Sequence, residues 1–134
     1  MHEQRKLAAI MFTDIVGYSA LMSKDEKLAM SYLEQNRNLH KSAIAKFNGE
    51  YIKEIGDGTL SVFPSAWDAI CCAQELQTTL LSDKNYRLRI GIHIGDVVAE
   101  EKDVFGDSVN IAARIQGIGE PGKIYIYLDG SLRM

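Results

Sequence analysis

Two short strand-like runs, "EYIKEI" at 50–55 and "TLSVF" at 59–63, are separated only by "GDG" at 56–58. Glycine and aspartate in so short a link are the signature of a tight hairpin. Long helical patterns flank this hairpin. Before it, Leu28, Tyr32, Leu39, Ala43 and Phe47 recur at helical spacing. "SKDE" at 23–26 reads as a capping box that opens this helix, and Gly49 as its stop, giving a helix over about 24–47. After the hairpin, Pro64 and Ser65 introduce a second helix over about 65–82. A hairpin between two helices leaves few ways to bury both helices on one sheet.

The rest of the chain completes the pattern. "KLAAIMFTDI" is a short apolar run, read as a first buried strand. "RLRIGIHIGDVVAE" alternates and reads as a long strand, and the polar "EKDVFGD" after it reads as a connection. "SVNIAARIQGIG" is helical, closed by Gly119, Pro121 and Gly122, and "KIYIYL" is a last strand. The order β-α-β-β-α-β with a further helix and strand predicts an α+β, ferredoxin-like core in one domain spanning 1–134. Its 134 residues, 46% hydrophobic and 25% charged, suit one domain with a substantial core.

Right-handed crossovers put the first strand between the strands at 59–63 and 86–98, antiparallel to the former. The C-terminal end of the first strand then lies beside the hairpin turn. Asp14 ends the one and Asp57 lies in the other. Separately, each reads as a helix cap or a turn residue. Together they repel unless a cation lies between them, and Mg²⁺ is commonly held by one or two carboxylates plus substrate phosphates. The amides of Val16, Gly17, Tyr18 and Ser19 lie at the same corner. If a helix starts there, they point free N–H groups at a phosphate. Metal and phosphate together imply a nucleotide.

"FTDIVGYS", "KEIGDGTLSVF", "RIGIHIGDV" and "DVFGDSVNIAARIQ" occur in this order and resemble the successive motifs of class III nucleotidyl cyclase catalytic domains. The resemblance covers about residues 7–127. It implies an adenylyl cyclase domain that makes 3′,5′-cyclic AMP and pyrophosphate from ATP. The implied cofactor is Mg²⁺ or Mn²⁺, two ions per site, held by Asp14, Asp57 and the carbonyl of Ile15. Asn110 and Arg114 match the positions that orient the ribose and stabilise the transition-state phosphate. Arg89 matches an arginine that binds the β- and γ-phosphates, with Arg87 as its rival. Lys53 and Asp103 match the base-specificity pair and carry the adenine-type polarity. Asp107 competes with Asp103 but also reads as a cap for the helix that follows it.

The same resemblance implies a homodimer. Asp14, Asp57 and Arg89 come from one subunit, and Lys53, Asp103, Asn110 and Arg114 from the other. Domains of this family usually continue past the last strand, so the chain is expected to be shortened at its C-terminus. No counterpart of a second phosphate-binding lysine is evident there. Guanylyl cyclase activity and an inactive dimerisation or regulatory module are the alternative readings. The net charge of −3 argues against a nucleic-acid polymer as partner. Adjacent Cys71 and Cys72 read as reduced thiols of a cytoplasmic domain, to which membrane or sensor segments can be attached elsewhere. His93, within a strand of isoleucines, reads as a core residue.

Overall fold

The structure, a computed structural model, describes residues 4–83, 85–100, 103–105, 107–128 and 131–133. Its elements run β1 (Gln4–Ile15), α1 (Tyr18–Lys24), α2 (Glu26–Lys46), β2 (Glu50–Ile55), β3 (Gly58–Phe63) and α3 (Ala66–Asp83). They continue with β4 (Leu88–Glu100), β5 (Asp103–Phe105), α4 (Asp107–Ile118), β6 (Ile124–Leu128) and β7 (Ser131–Arg133). The described strands form one sheet in the order β2-β3-β1-β4-β6-β7, with β5 paired to β4. β1 lies between β3 and β4 and antiparallel to β3, as expected, and it is antiparallel to β4 as well.

The helix expected over about 24–47 is α2, Glu26–Lys46, and a separate short helix, α1, precedes it. The expected capping box does not form: Ser23 belongs to α1, and Asp25 caps α2, its carboxylate accepting the Leu28 N–H at 3.1 Å. Asp25 sits one residue before the α2 N-terminus, where a carboxylate meets unpaired amides. At the other end, Asn48 rather than Gly49 takes the left-handed conformation (φ 64°). Asn48 N–H bonds to Ala45 and Gly49 N–H to Ile44, the paired bonds of a Schellman stop. Ser65 does cap α3, accepting the Asp68 N–H at 3.1 Å. Part of the segment expected to be a plain connection is a strand, β5, which folds back on the end of β4.

The two sheet faces are distinct. Ala9, Met11, Ile15, Phe63, Leu88, Ile90 and Ile92 pack with α2 and α3 in the main core. Ala8, Ile10, Leu60 and Val62 point the other way and pack with Ala112 of α4. α4 approaches so closely that a Cβ on Gly91 would lie 2.4 Å from the Gln116 amide nitrogen. Only a glycine admits that contact, so Gly91 sets the height of α4 above β4. His93, in the same strand, is buried, as expected. Of the two cysteines, both free, Cys72 is buried and Cys71 half-buried. No helix among the described residues is long and apolar enough to cross a membrane.

Candidate active site

Asp14 stands opposite Gly58 of β3 and opposite Arg89 of β4. Gly58 follows Asp57 directly, so β-sheet register alone carries both carboxylates to one edge. The turn closes with two residues, Gly56 and Asp57, between the paired Ile55 and Gly58. Gly56 has φ 63°, which a side chain would disfavour. The Asp57 carboxylate accepts the Ile15 N–H at 3.1 Å, tying the turn to the end of β1. Arg89 Nε lies 3.5 Å from Asp14 Oδ1, both groups about one-third exposed or less.

The electrostatics of this corner are unresolved by the protein itself. Burial raises the Asp14 pKa most, Arg89 beside it works in the opposite direction, and the Asp57 charge raises it again. Gln116 also faces Asp14 and favours its ionised form, but the net displacement is upward. A carboxylate so placed gains from additional positive charge. Among the described residues no group of three or more His, Cys, Asp or Glu side chains could hold a metal. The oxygen donors that the end of β1 and the hairpin turn can offer are the two carboxylates and the carbonyl of Ile15. That oxygen-only, incomplete set fits Mg²⁺ or Mn²⁺ whose remaining positions are filled by phosphate and water, and it does not fit zinc.

The expected phosphate loop needs one correction. Val16 is not a free donor: its N–H goes to the Arg87 carbonyl at 2.9 Å, extending the β1–β4 ladder by one step. Gly17 is left-handed and leads into α1, whose first intrahelical bond is Leu21 N–H to Gly17. The amides of Tyr18 and Ser19 therefore precede helical pairing. Arg87, the rival of Arg89, lies before β4 and lines a separate groove with Leu80, Leu81 and Pro121. Arg89 alone of the two reaches Asp14.

Lys53 is exposed and stands opposite Leu60, hence on the α4 side of the sheet with Asp14. Counting by twos from Tyr51 would put it on the α2 side instead. A bulge at Ile52 resets the alternation, so Tyr51 and Glu54 share the α2 face. Asp103 opens β5, and β5 comes within 8 Å of β2 between Cα atoms. The side chains of Asp103, Asp107 and Asn110 lie outside the described residues, although Asp107 is the first residue of α4 and Asn110 follows in its first turn. Arg114 is exposed on α4, whereas Ala112, Ile115 and Gln116 are buried. One chain thus gathers Asp14, Ile15, Asp57 and Arg89, and leaves Arg114 facing outward. Gln116 escaped the sequence reading. Its signal was a polar residue four positions after Ala112, on the buried helix face.

The chain matches the family described as "Adenylate and Guanylate cyclase catalytic domain" over residues 1–129. It is 38% identical over 131 residues to putative adenylate cyclase 3 of Rhizobium meliloti, covering 92% of this chain and 22% of that protein. It is 30% identical over 120 residues to an adenylate cyclase of Streptomyces coelicolor, covering 88% of this chain and 32% of the other. The chain therefore spans between a fifth and a third of the length of these curated relatives. The crystal structure of an adenylate/guanylate cyclase/hydrolase from Silicibacter pomeroyi superposes with a TM-score of 0.86 at 39% identity, covering 93% of this chain and 77% of that one.

Proposed function

Because the chain belongs to the family of adenylate and guanylate cyclase catalytic domains, we propose that it acts as one adenylyl cyclase domain, turning ATP into 3′,5′-cyclic AMP and pyrophosphate. The observation that carries this reading is the Asp14–Asp57 pair, knit together through Ile15 with Arg89 alongside. Asp14, Asp57 and the Ile15 carbonyl would hold the divalent cations. Bound there, two such ions supply charge to the attacking and leaving oxygens of an in-line displacement.

The chain's own residues do the rest. Arg89 has five donors, and its single long contact with Asp14 leaves the others for β- and γ-phosphate oxygens. The amides of Tyr18 and Ser19 offer further donors to the triphosphate. Lys53 donates to adenine N1 and Asp103 accepts from the 6-amino group, a polarity that guanine inverts. Asn110 orients the ribose so that its 3′-hydroxyl lines up with the α-phosphorus, and Arg114 neutralises charge on the pentavalent phosphate. Arg114 is exposed on α4, two positions and so about half a turn from the buried Gln116 that faces Asp14, which supports a homodimer with each site assembled from two chains.

The test is direct. The purified chain is incubated with ATP or GTP and Mn²⁺, and the products are separated. Cyclic AMP is expected from wild type and none from Asp57→Asn. Cyclic GMP as the main product would replace the adenylyl reading. Absence of either product at high protein concentration would leave a non-catalytic dimerisation module.

A further inference from the structure

On the α2 side of the sheet, Arg37 holds Glu54 with two bonds, Nε at 2.8 Å and Nη2 at 2.9 Å. The Tyr51 hydroxyl donates to the same carboxylate at 3.0 Å. Lys41, one turn after Arg37, lies over the Tyr51 ring, 5.4 Å from its centre. None of these four residues belongs to the site described above. Glu54, however, is the immediate neighbour of Lys53.

We propose that the Arg37–Glu54–Tyr51 cluster is a specificity-positioning device, which aims Lys53 at the nucleotide base by fixing the register of β2. The inference rests on Lys53 being the base-reading lysine. Successive strand residues point to opposite faces, so locking Glu54 onto α2 fixes Lys53 on the Asp14 side. β2 is the edge strand and carries a bulge, so its register is not imposed by neighbours on both sides. The cluster spans that bulge: Tyr51 lies before Ile52 and Glu54 after it.

Charge decides which register wins. If the pairing of Tyr51 with Ser61 continued without the bulge, Lys53 would face α2, where Arg37 and Lys41 already stand. Glu54 would then pair with Gly58, directly beside Asp14. Both placements bring like charges together. The observed register replaces them with a two-pronged arginine–carboxylate contact.

The experiment measures ATP and GTP side by side, both as equilibrium binding with Mn²⁺ and non-cyclisable analogues and as kcat/KM. Arg37→Met is expected to cut the preference for ATP by about tenfold, the scale of one misplaced polar contact. The loss should lie in KM and Kd for ATP, with kcat at saturation little changed. Tyr51→Phe, which removes only a hydroxyl, gives a smaller change in the same direction and covers the case in which Arg37→Met does not fold. The double reversal Arg37→Glu with Glu54→Arg restores the preference. A purely structural contact would lower the active fraction and leave the ratio of ATP to GTP unmoved, and that result overturns the proposal. A wild type that binds both nucleotides equally overturns the base-reading role of Lys53 and the clamp with it. A wild type without turnover that still prefers ATP, and loses that preference in Arg37→Met, supports the clamp while refuting catalysis.

Discussion

His40 makes the chain's stability depend on pH in a window where few other groups titrate. It is fully buried between α2 and the sheet. Its Nδ1–H donates to the Asn36 carbonyl at 2.8 Å, and Nε2 accepts the Thr13 hydroxyl at 2.7 Å. Both ring nitrogens are satisfied by the neutral form, and burial lowers the pKa from 6.5 to about 4. The folded value is depressed, so the unfolded chain binds the extra proton. Stability is therefore full above the unfolded pKa and falls as pH drops through the interval from 6.5 toward 4. The whole shift corresponds to about 3 kcal/mol, of which about 2 kcal/mol is lost between about pH 7.5 and about pH 5. Urea unfolding of wild type and His40→Gln at both pH values measures this. The variant loses some stability at every pH, but the gap should narrow by about 2 kcal/mol at the lower one. Asp14, displaced upward by burial, and Glu54, displaced downward by its bond from Arg37, titrate in both proteins and cancel in the comparison. Parallel pH profiles would refute the buried neutral imidazole.

Three further outcomes follow from the geometry. Gly91→Ala forces a Cβ into the Gln116 amide and the Ala112 carbonyl, 2.4 and 2.8 Å away. Thermal or urea unfolding should show a loss of about 1–3 kcal/mol, the range for overpacking, because both obstacles are backbone. Asp14→Ala and Asn110→Ala, each inactive alone, should regain about a quarter of wild-type cyclase activity when mixed in equal amounts, since half the dimers then hold one intact site of two. Failure to recover, with both variants folded and dimeric, argues against a shared site. Asp57→Asn removes repulsion from Asp14 and keeps an acceptor for the Ile15 amide. It should melt no lower than wild type without metal, yet lose the rise in Tm that Mn²⁺ and a non-cyclisable ATP analogue give the wild type.

Much of the layout was legible in the sequence because it rests on local chemistry. Gly56 and Asp57 make a two-residue turn, Ser65 caps a helix, and the apolar runs around Ile10 and Ile90 specify buried strands. With the handedness of crossovers, these local facts put Asp14 beside Asp57 before any coordinates. The motifs carried the family for the same reason: their residues and spacing are linear quantities. The capping box does not form because Ser23 and Asp25 offer competing local caps, and the break between α1 and α2 falls at Asp25.

Other features arise only when distant segments meet. The Val16 amide is spent on Arg87, a partner 71 positions away that no local rule names. Gln116 comes to face Asp14 because Gly91 lets α4 descend onto β4, and Arg89 prevails over Arg87 because the ladder, not the spacing, aligns it with Asp14. Lys53 is the sharpest case. Alternation in "EYIKEI" counts it onto the same face as Tyr51, and the bulge at Ile52 turns it to the other. Periodicity in a strand is a local property, but where the count is broken depends on what waits on each side of the sheet. Here those are the guanidinium of Arg37 on one side and the carboxylate of Asp14 on the other.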